Sequence, residues 1–129
     1  MRIAVSANEP TLDAEIDPRF GRCRYLIIVD ADSMEFEAVE NSGASAGGGA
    51  GIATAQMAID KRTEVVITGN CGPSAFQVLS TAGIKVVTGI HGKVQDVVQA
   101  YKAGSLQPTF RPNVRGHFGM GSGRGTGRN

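Results

Sequence analysis

Two short apolar runs constrain this chain more than any other feature. Residues 64–69 (EVVITG) and 84–89 (IKVVTG) are rich in β-branched side chains, and each ends in glycine. Both read as short buried strands. The stretch between them has a helical pattern. Pro73 suits a first helical turn, where its missing N–H costs nothing, Phe76 and Leu79 supply an apolar face, and Gly83 supplies the stop. Strands joined through a helix run parallel, with a right-handed crossover. The chain is therefore α/β.

The remaining elements fit around that unit. RIAVSA near the N-terminus and RYLIIVD at 24–30 read as buried strands. MEFEAVEN follows, with Phe36 and Ala38 alternating against Glu35 and Glu37, so the first three strands form an antiparallel meander. SGASAGGGAG leads into a helix whose expected inner face is Ile52, Ala55 and Ile59. Val94, Val97, Val98 and Tyr101 form a helical stripe closed by Gly104. The predicted order is βββαβαβα, with the first, fourth and fifth strands parallel.

Composition sets further bounds. A chain of 129 residues suits one domain with a real core. With 5% aromatic residues and no Trp, that core must be Val, Ile, Leu and Ala between sheet and helices. Residues 1–110 carry all twelve acids and nine bases, a net charge of −3, while Arg111, Arg115, Arg124 and Arg128 lie in the tail. Such a mildly acidic body argues against a nucleic-acid-binding domain. The expected folded domain is 1–107. The Gly/Arg-rich segment 108–129 has little to bury and is expected to be disordered when free. No signal-peptide core or membrane-length apolar run is evident, so a cytoplasmic location with reduced thiols is expected.

This topology gathers the chemistry at one edge. In open α/β sheets, ligands collect beyond the carboxyl ends of parallel strands. Cys71 follows the fourth strand, His91 follows the fifth, Cys23 precedes the antiparallel second strand, and the glycine-rich lead to the first helix opens there too. A helix N-terminus favours anions and is expected to lower the pKa of Cys71. Thiolates suit iron–sulfur units, copper(I) or zinc. Arg19, Arg22 and Arg24 flank the same loop and can balance negative charge. The alternatives are a small turn residue at 71, a core thiol at 23 and a solvated turn residue at 91. GGGAG lacks Gly-x-Gly-x-x-Gly spacing, since Thr54 stands three residues after Gly51, and no Gly-Lys-Ser/Thr follows, so nucleotide binding is poorly supported.

The segments DPRFGRCRYLIIVD, GAGIATAQ, VVITGNCGPSAFQVLSTAGIKVV and GKVQDVVQAYKAGSL together resemble the dinitrogenase iron–molybdenum cofactor biosynthesis family. The resemblance implies a ribonuclease H-like α/β fold, with a five-stranded mixed sheet whose second strand is antiparallel. It also implies a non-enzymatic role in binding, carrying or storing a metal–sulfur cluster. The family includes cofactor carriers of nitrogen fixation and orange proteins holding a molybdenum–copper sulfide cluster. Phe20, Gly21 and Arg22, and Gly69, Gly72 and Pro73, match its motif positions. Candidate cofactor-binding residues are Phe20, Gly21, Arg22, Gly49, Gly51, Gly69, Asn70, Gly72 and His91, with Cys23 and Cys71 as candidate metal ligands. The cargo implied by the resemblance is an iron–sulfur cluster or a molybdenum–copper or molybdenum–iron sulfide.

The family's motif does not demand cysteine at 23 or 71, so thiolate ligation is inferred from this chain's own residues. Expected partners are cluster donor and acceptor proteins, and self-association is a further expectation. Membrane contact is not expected. The second function class is an enzyme. Two-metal phosphoryl chemistry needs clustered carboxylates, but the first strand has none and Asp30 and Asp32 stand at the far end of the second. A thiol enzyme would rest on Cys71 with His91 as its base. The third class is an assembly module whose Gly/Arg tail binds a partner or itself.

Overall fold

A computed structural model describes residues 1–45 and 49–109. The strands are β1 (Arg2–Ala7), β2 (Tyr25–Asp30), β3 (Phe36–Glu40), β4 (Val65–Ile67) and β5 (Lys85–Val87). The helices are α1 (Ala50–Asp60), α2 (Pro73–Thr81) and α3 (Val94–Lys102), with a short 3-10 turn at Ser42–Ser45. The sheet order is β3-β2-β1-β4-β5. β2 is antiparallel to both β1 and β3, while β1, β4 and β5 are parallel. The predicted element order and strand directions therefore hold.

Sequence alternation explains the layers. In β1, Ile3 and Val5 join a cluster with Val94, Val97 and Val98 of α3, while Ala4 joins the opposite cluster with Ala55 and Ala58 of α1 and Leu79 of α2. Both sheet faces are covered, which is why the central strands are apolar almost without a break. Gly83 (φ +81°) and Gly104 (φ +84°) follow α2 and α3 in the left-handed conformation that glycine adopts without strain.

Two side-chain expectations are corrected. Ile52 is 46% exposed; the inward face of α1 is Ala50, Thr54, Ala55 and Ala58, with Ile59 only partly buried. A polar Thr occupies a core-facing position because it has buried hydrogen-bond partners, which periodicity alone does not detect. Phe36 is 44% exposed because β3 is an edge strand and Phe36 stands at its first position. Two residues past the boundary expected at 107, Thr109 pairs with the sheet. The Thr109 amide donates to the Val86 carbonyl at 2.6 Å, and its hydroxyl meets that of Thr88 at 2.9 Å. Most of the expected disordered tail, 110–129, lies outside the described residues, as do 46–48 of the glycine run.

Leu79→Ala should lower unfolding free energy in urea by about 2–5 kcal/mol, as expected for a fully buried leucine. Ile52→Ala should change it by less than about 0.5 kcal/mol, as expected for a surface position. Equal losses would restore Ile52 to the inner face.

Candidate functional site

The carboxyl ends of β1 and β4 open onto one rim. After β1 the chain makes a long excursion whose path is fixed by backbone pairing. The Asp17 amide donates to the Ser6 carbonyl at 2.9 Å, and the Ser6 hydroxyl donates back to the Asp17 carbonyl at 2.7 Å. Asn70, just past β4, then grips the next turn. Its backbone and side-chain amides donate to the Pro18 carbonyl at 2.7 and 3.0 Å, and its carbonyl accepts from the Phe20 amide at 3.1 Å. Gly69 makes this possible: a Cβ there would lie 2.7 Å from Pro18 Cα, inside any tolerable contact.

That grip delivers Phe20 and Gly21 to the start of α1. A Cβ on Gly21 would lie 2.8 Å from both Cα and N of Gly51, so the two backbones touch directly. A Cβ on Gly51 would in turn lie 3.2 Å from the Ala75 methyl of α2. Gly49, at φ +88°, turns the chain into α1, and Gly72 precedes Pro73 at the start of α2. Between these segments lies a cleft of about 280 Å³ lined by Phe20, Gly21, Gly49, Gly51, Ile52, Gly72, Pro73, Ser74 and Ala75. None of these side chains ionises near neutral pH.

The electrostatics come from backbone. First-turn amides of a helix have no carbonyl partner within that helix, and the N-terminal end carries a partial positive charge. The first turns of α1 and α2 both line the cleft, so Gly51, Ile52, Ser74 and Ala75 surround it with polarised peptide units. Phe20, Ile52, Pro73 and Ala75 make the rest of the wall apolar, which strengthens hydrogen bonding inside it.

The sequence-predicted residues divide accordingly. Phe20, Gly21, Gly49, Gly51 and Gly72 line the cleft. Gly69 and Asn70 act one step away, by holding the Pro18–Phe20 turn. Arg22 is exposed and outside the lining, and so is His91, in the loop after β5. Arg19 is drawn to the buried Asp17 carboxylate, with Nε 3.3 Å from Oδ1, and the Arg24 guanidinium stands 5.7 Å from the centre of the Tyr25 ring.

Both cysteines are buried, Cys23 at 0% and Cys71 at 1% exposure, and neither lines the cleft. Cys71 belongs to the same apolar cluster as Phe20 and Ala75, so it lies beneath the wall. The expectation of a lowered thiol pKa at Cys71 is corrected. Burial pushes it from 9.0 to about 12. Burial, with the Asp17 carboxylate adding to it, raises Cys23 to about 12 as well. Desolvation outweighs the helix N-terminus at Cys71 because the thiol packs into the core. Among the described residues, no group of three or more His, Cys, Asp or Glu side chains is placed to hold a metal ion.

Sequence reasoning missed Asn41 and Thr54. Both are buried, and they join the Gly21 loop to α1. The available signal was a polar side chain at a core-facing helical position, four residues after Ala50. It also missed Ile52 and Ser74 as cleft residues.

The sequence and the fold match a known class of protein. Residues 1–104 match the family model described as dinitrogenase iron-molybdenum cofactor, and the chain belongs to that family. The apo orange protein of Desulfovibrio gigas is 41% identical and superimposes with a TM-score of 0.85, covering 88% of this chain and 96% of that one. A Thermotoga protein of the DUF35 family is 34% identical with a TM-score of 0.73, covering 88% of this chain and 98% of its own. An uncharacterized protein of Methanocaldococcus jannaschii is 26% identical over 110 residues, which is 83% of this chain and 90% of that one. These likenesses connect the chain with a cofactor-related role.

The thiol environment makes a signed prediction. Each thiol is harder to ionise in the folded state than in the unfolded state. Its contribution to stability is therefore complete below pH 9 and is lost as pH rises from about 9 toward about 12. A Cys23→Ala, Cys71→Ala variant should lose less stability than the wild type over that window, measured by chemical denaturation at stepped pH. Iodoacetamide should label the native thiols at pH 7.5 far more slowly than the urea-unfolded ones. Parallel pH curves with fast native labelling would contradict this burial.

Proposed function

We propose that this chain binds and carries a compact, anionic metal–sulfur cluster for cofactor assembly, held in the cleft between Phe20–Gly21 and the first turns of α1 and α2. The observation that carries this reading is the convergence of two helix N-termini on one glycine-walled, apolar cleft. Polarised amides favour negative charge, and the missing side chains let a bulky guest approach them closely. Sulfide is large and polarisable, so a wall that mixes N–H donors with Phe20, Ile52 and Pro73 suits it better than it suits a strongly hydrated oxyanion.

In this reading the protein's residues shape, shelter and orient the cargo rather than catalyse turnover. Cys23 and Cys71 remain candidate metal ligands only at a cost, because each must be deprotonated and brought out from the core. The amide cradle needs neither step. A guest held without covalent bonds can be received and released intact, which fits exchange with donor and acceptor proteins. Family membership supports the same direction.

Ile52 offers a clean test, since it stands at the cleft while remaining 46% exposed. In anaerobic titrations with tetrathiomolybdate, Ile52→Glu should weaken binding by roughly tenfold and Ile52→Lys should strengthen it, consistent with one charge placed near an anion at the protein surface. Melting temperatures should change little. Identical affinities in all three proteins would remove the cleft as the binding site.

A further inference from the structure

Behind the Gly21 wall lies a buried polar cluster that the proposed cradle does not itself use. Asn41 is 5% exposed and Thr54 is fully buried. Asn41 Nδ2 donates to the Cys23 carbonyl at 2.8 Å and approaches the Gly21 carbonyl at 3.4 Å and Cys23 Sγ at 3.6 Å. Its Oδ1 accepts from the Gly43 amide at 3.1 Å and from the Thr54 hydroxyl at 3.0 Å. Rotating the side-chain amide by half a turn would set oxygen against two carbonyls and N–H against N–H, so the surroundings fix its orientation. The Thr54 hydroxyl also lies 3.3 Å from the Gly21 carbonyl and 3.0 Å from that of Ala50, so its single proton is shared among three acceptors.

We infer that Asn41 and Thr54 are positioning residues for an anion-binding cleft: they hold the Gly21 carbonyl in the buried network behind the wall. The argument is electrostatic. A carbonyl oxygen is the negative end of a peptide unit, and Gly21 lines a cleft whose other contributors present helix N-termini. An oxygen turned into the cleft would oppose any anionic guest. The donors from Asn41 and Thr54 give that oxygen partners on the far side. Because Thr54 sits in α1 and Asn41 just after β3, the same network sets the loop against the helix at the Gly21–Gly51 contact. It also gives Cys23 a place as the third member of the cluster.

The affinity readout rests on the cluster-binding reading, so the test also includes a measurement on the empty protein. Thr54→Val keeps the shape of the side chain and removes its donor, while Thr54→Ser keeps the donor. Tetrathiomolybdate should bind Thr54→Val about five- to tenfold more weakly than wild type, the change expected for one lost hydrogen bond, and Thr54→Ser should bind like wild type. In the ligand-free proteins, the Phe20 and Gly43 amides, which donate to the Asn70 carbonyl and to Asn41 Oδ1, should exchange faster in Thr54→Val than in wild type or Thr54→Ser, with the Leu79 amide unchanged. Wild-type affinity in Thr54→Val would overturn the inference and leave the cluster reading standing. No tetrathiomolybdate binding by the wild type would sink the cluster reading, and amide exchange would then decide the positioning role. Unchanged exchange at Phe20 and Gly43 in Thr54→Val overturns it, whereas exchange accelerated only there and restored by serine supports it.

Discussion

The backbone contact between Gly21 and Gly51 is the constraint on which the functional end of this molecule depends. Two chain segments that are remote in sequence meet there with no side chain between them, and a Cβ on Gly21 would lie 2.8 Å from the Gly51 backbone. The contact sets how far the loop after β1 stands from α1, and therefore how wide the cleft is. Its supports come from three directions. Asn70 holds the turn at Pro18 from the end of β4, the buried Asn41 and Thr54 side chains tie the loop from behind, and Ala75 of α2 closes against Gly51 from the other side.

The sheet makes that arrangement affordable. With α3 on one face and α1 and α2 on the other, the core needs nothing from the rim for its burial. The helices over the second face begin at the carboxyl edge and direct their positive ends toward it. The glycines before α1 and α2 leave their first turns open to a guest. Cys71 then packs as a compact apolar residue under the wall, while Cys23 meets the Asn41 side chain behind it. Burial raises both thiols to about 12, so both are protonated at neutral pH.

Much of this was legible in the sequence because strand directions follow from connectivity. The runs at 64–69 and 84–89, with a helical pattern between them, required parallel strands. Once that was set, the loop at 18–23, the glycines at 49–51 and the turn at 69–72 had to share one edge. Side-chain depth was less legible. Ile52 is apolar and falls at a helical spacing, but the helix is rotated so that Thr54 points inward, where Asn41 and the carbonyls of Gly21 and Ala50 make that tolerable. Phe36 alternates correctly yet stands exposed at the start of an edge strand. Cys71 was placed correctly in the chain and misjudged in electrostatics, because a position before a helix does not reveal whether the thiol turns toward the rim or the core. Asn41 carries one local cue, the turn it makes with the Gly43 amide; its importance comes from partners at 21, 23 and 54.

The central claim is that a metal–sulfur cargo is held by the cleft's backbone and not by thiolates. The most direct measurement is metal and sulfide content per chain after anaerobic reconstitution with molybdate, iron, copper and sulfide, compared between wild type and a Cys23→Ser, Cys71→Ser variant shown to be folded. The account predicts stoichiometric metal and sulfide in both proteins, with matching absorption spectra. A cluster present in the wild type and absent from the folded variant would contradict it and place the cargo on the cysteines.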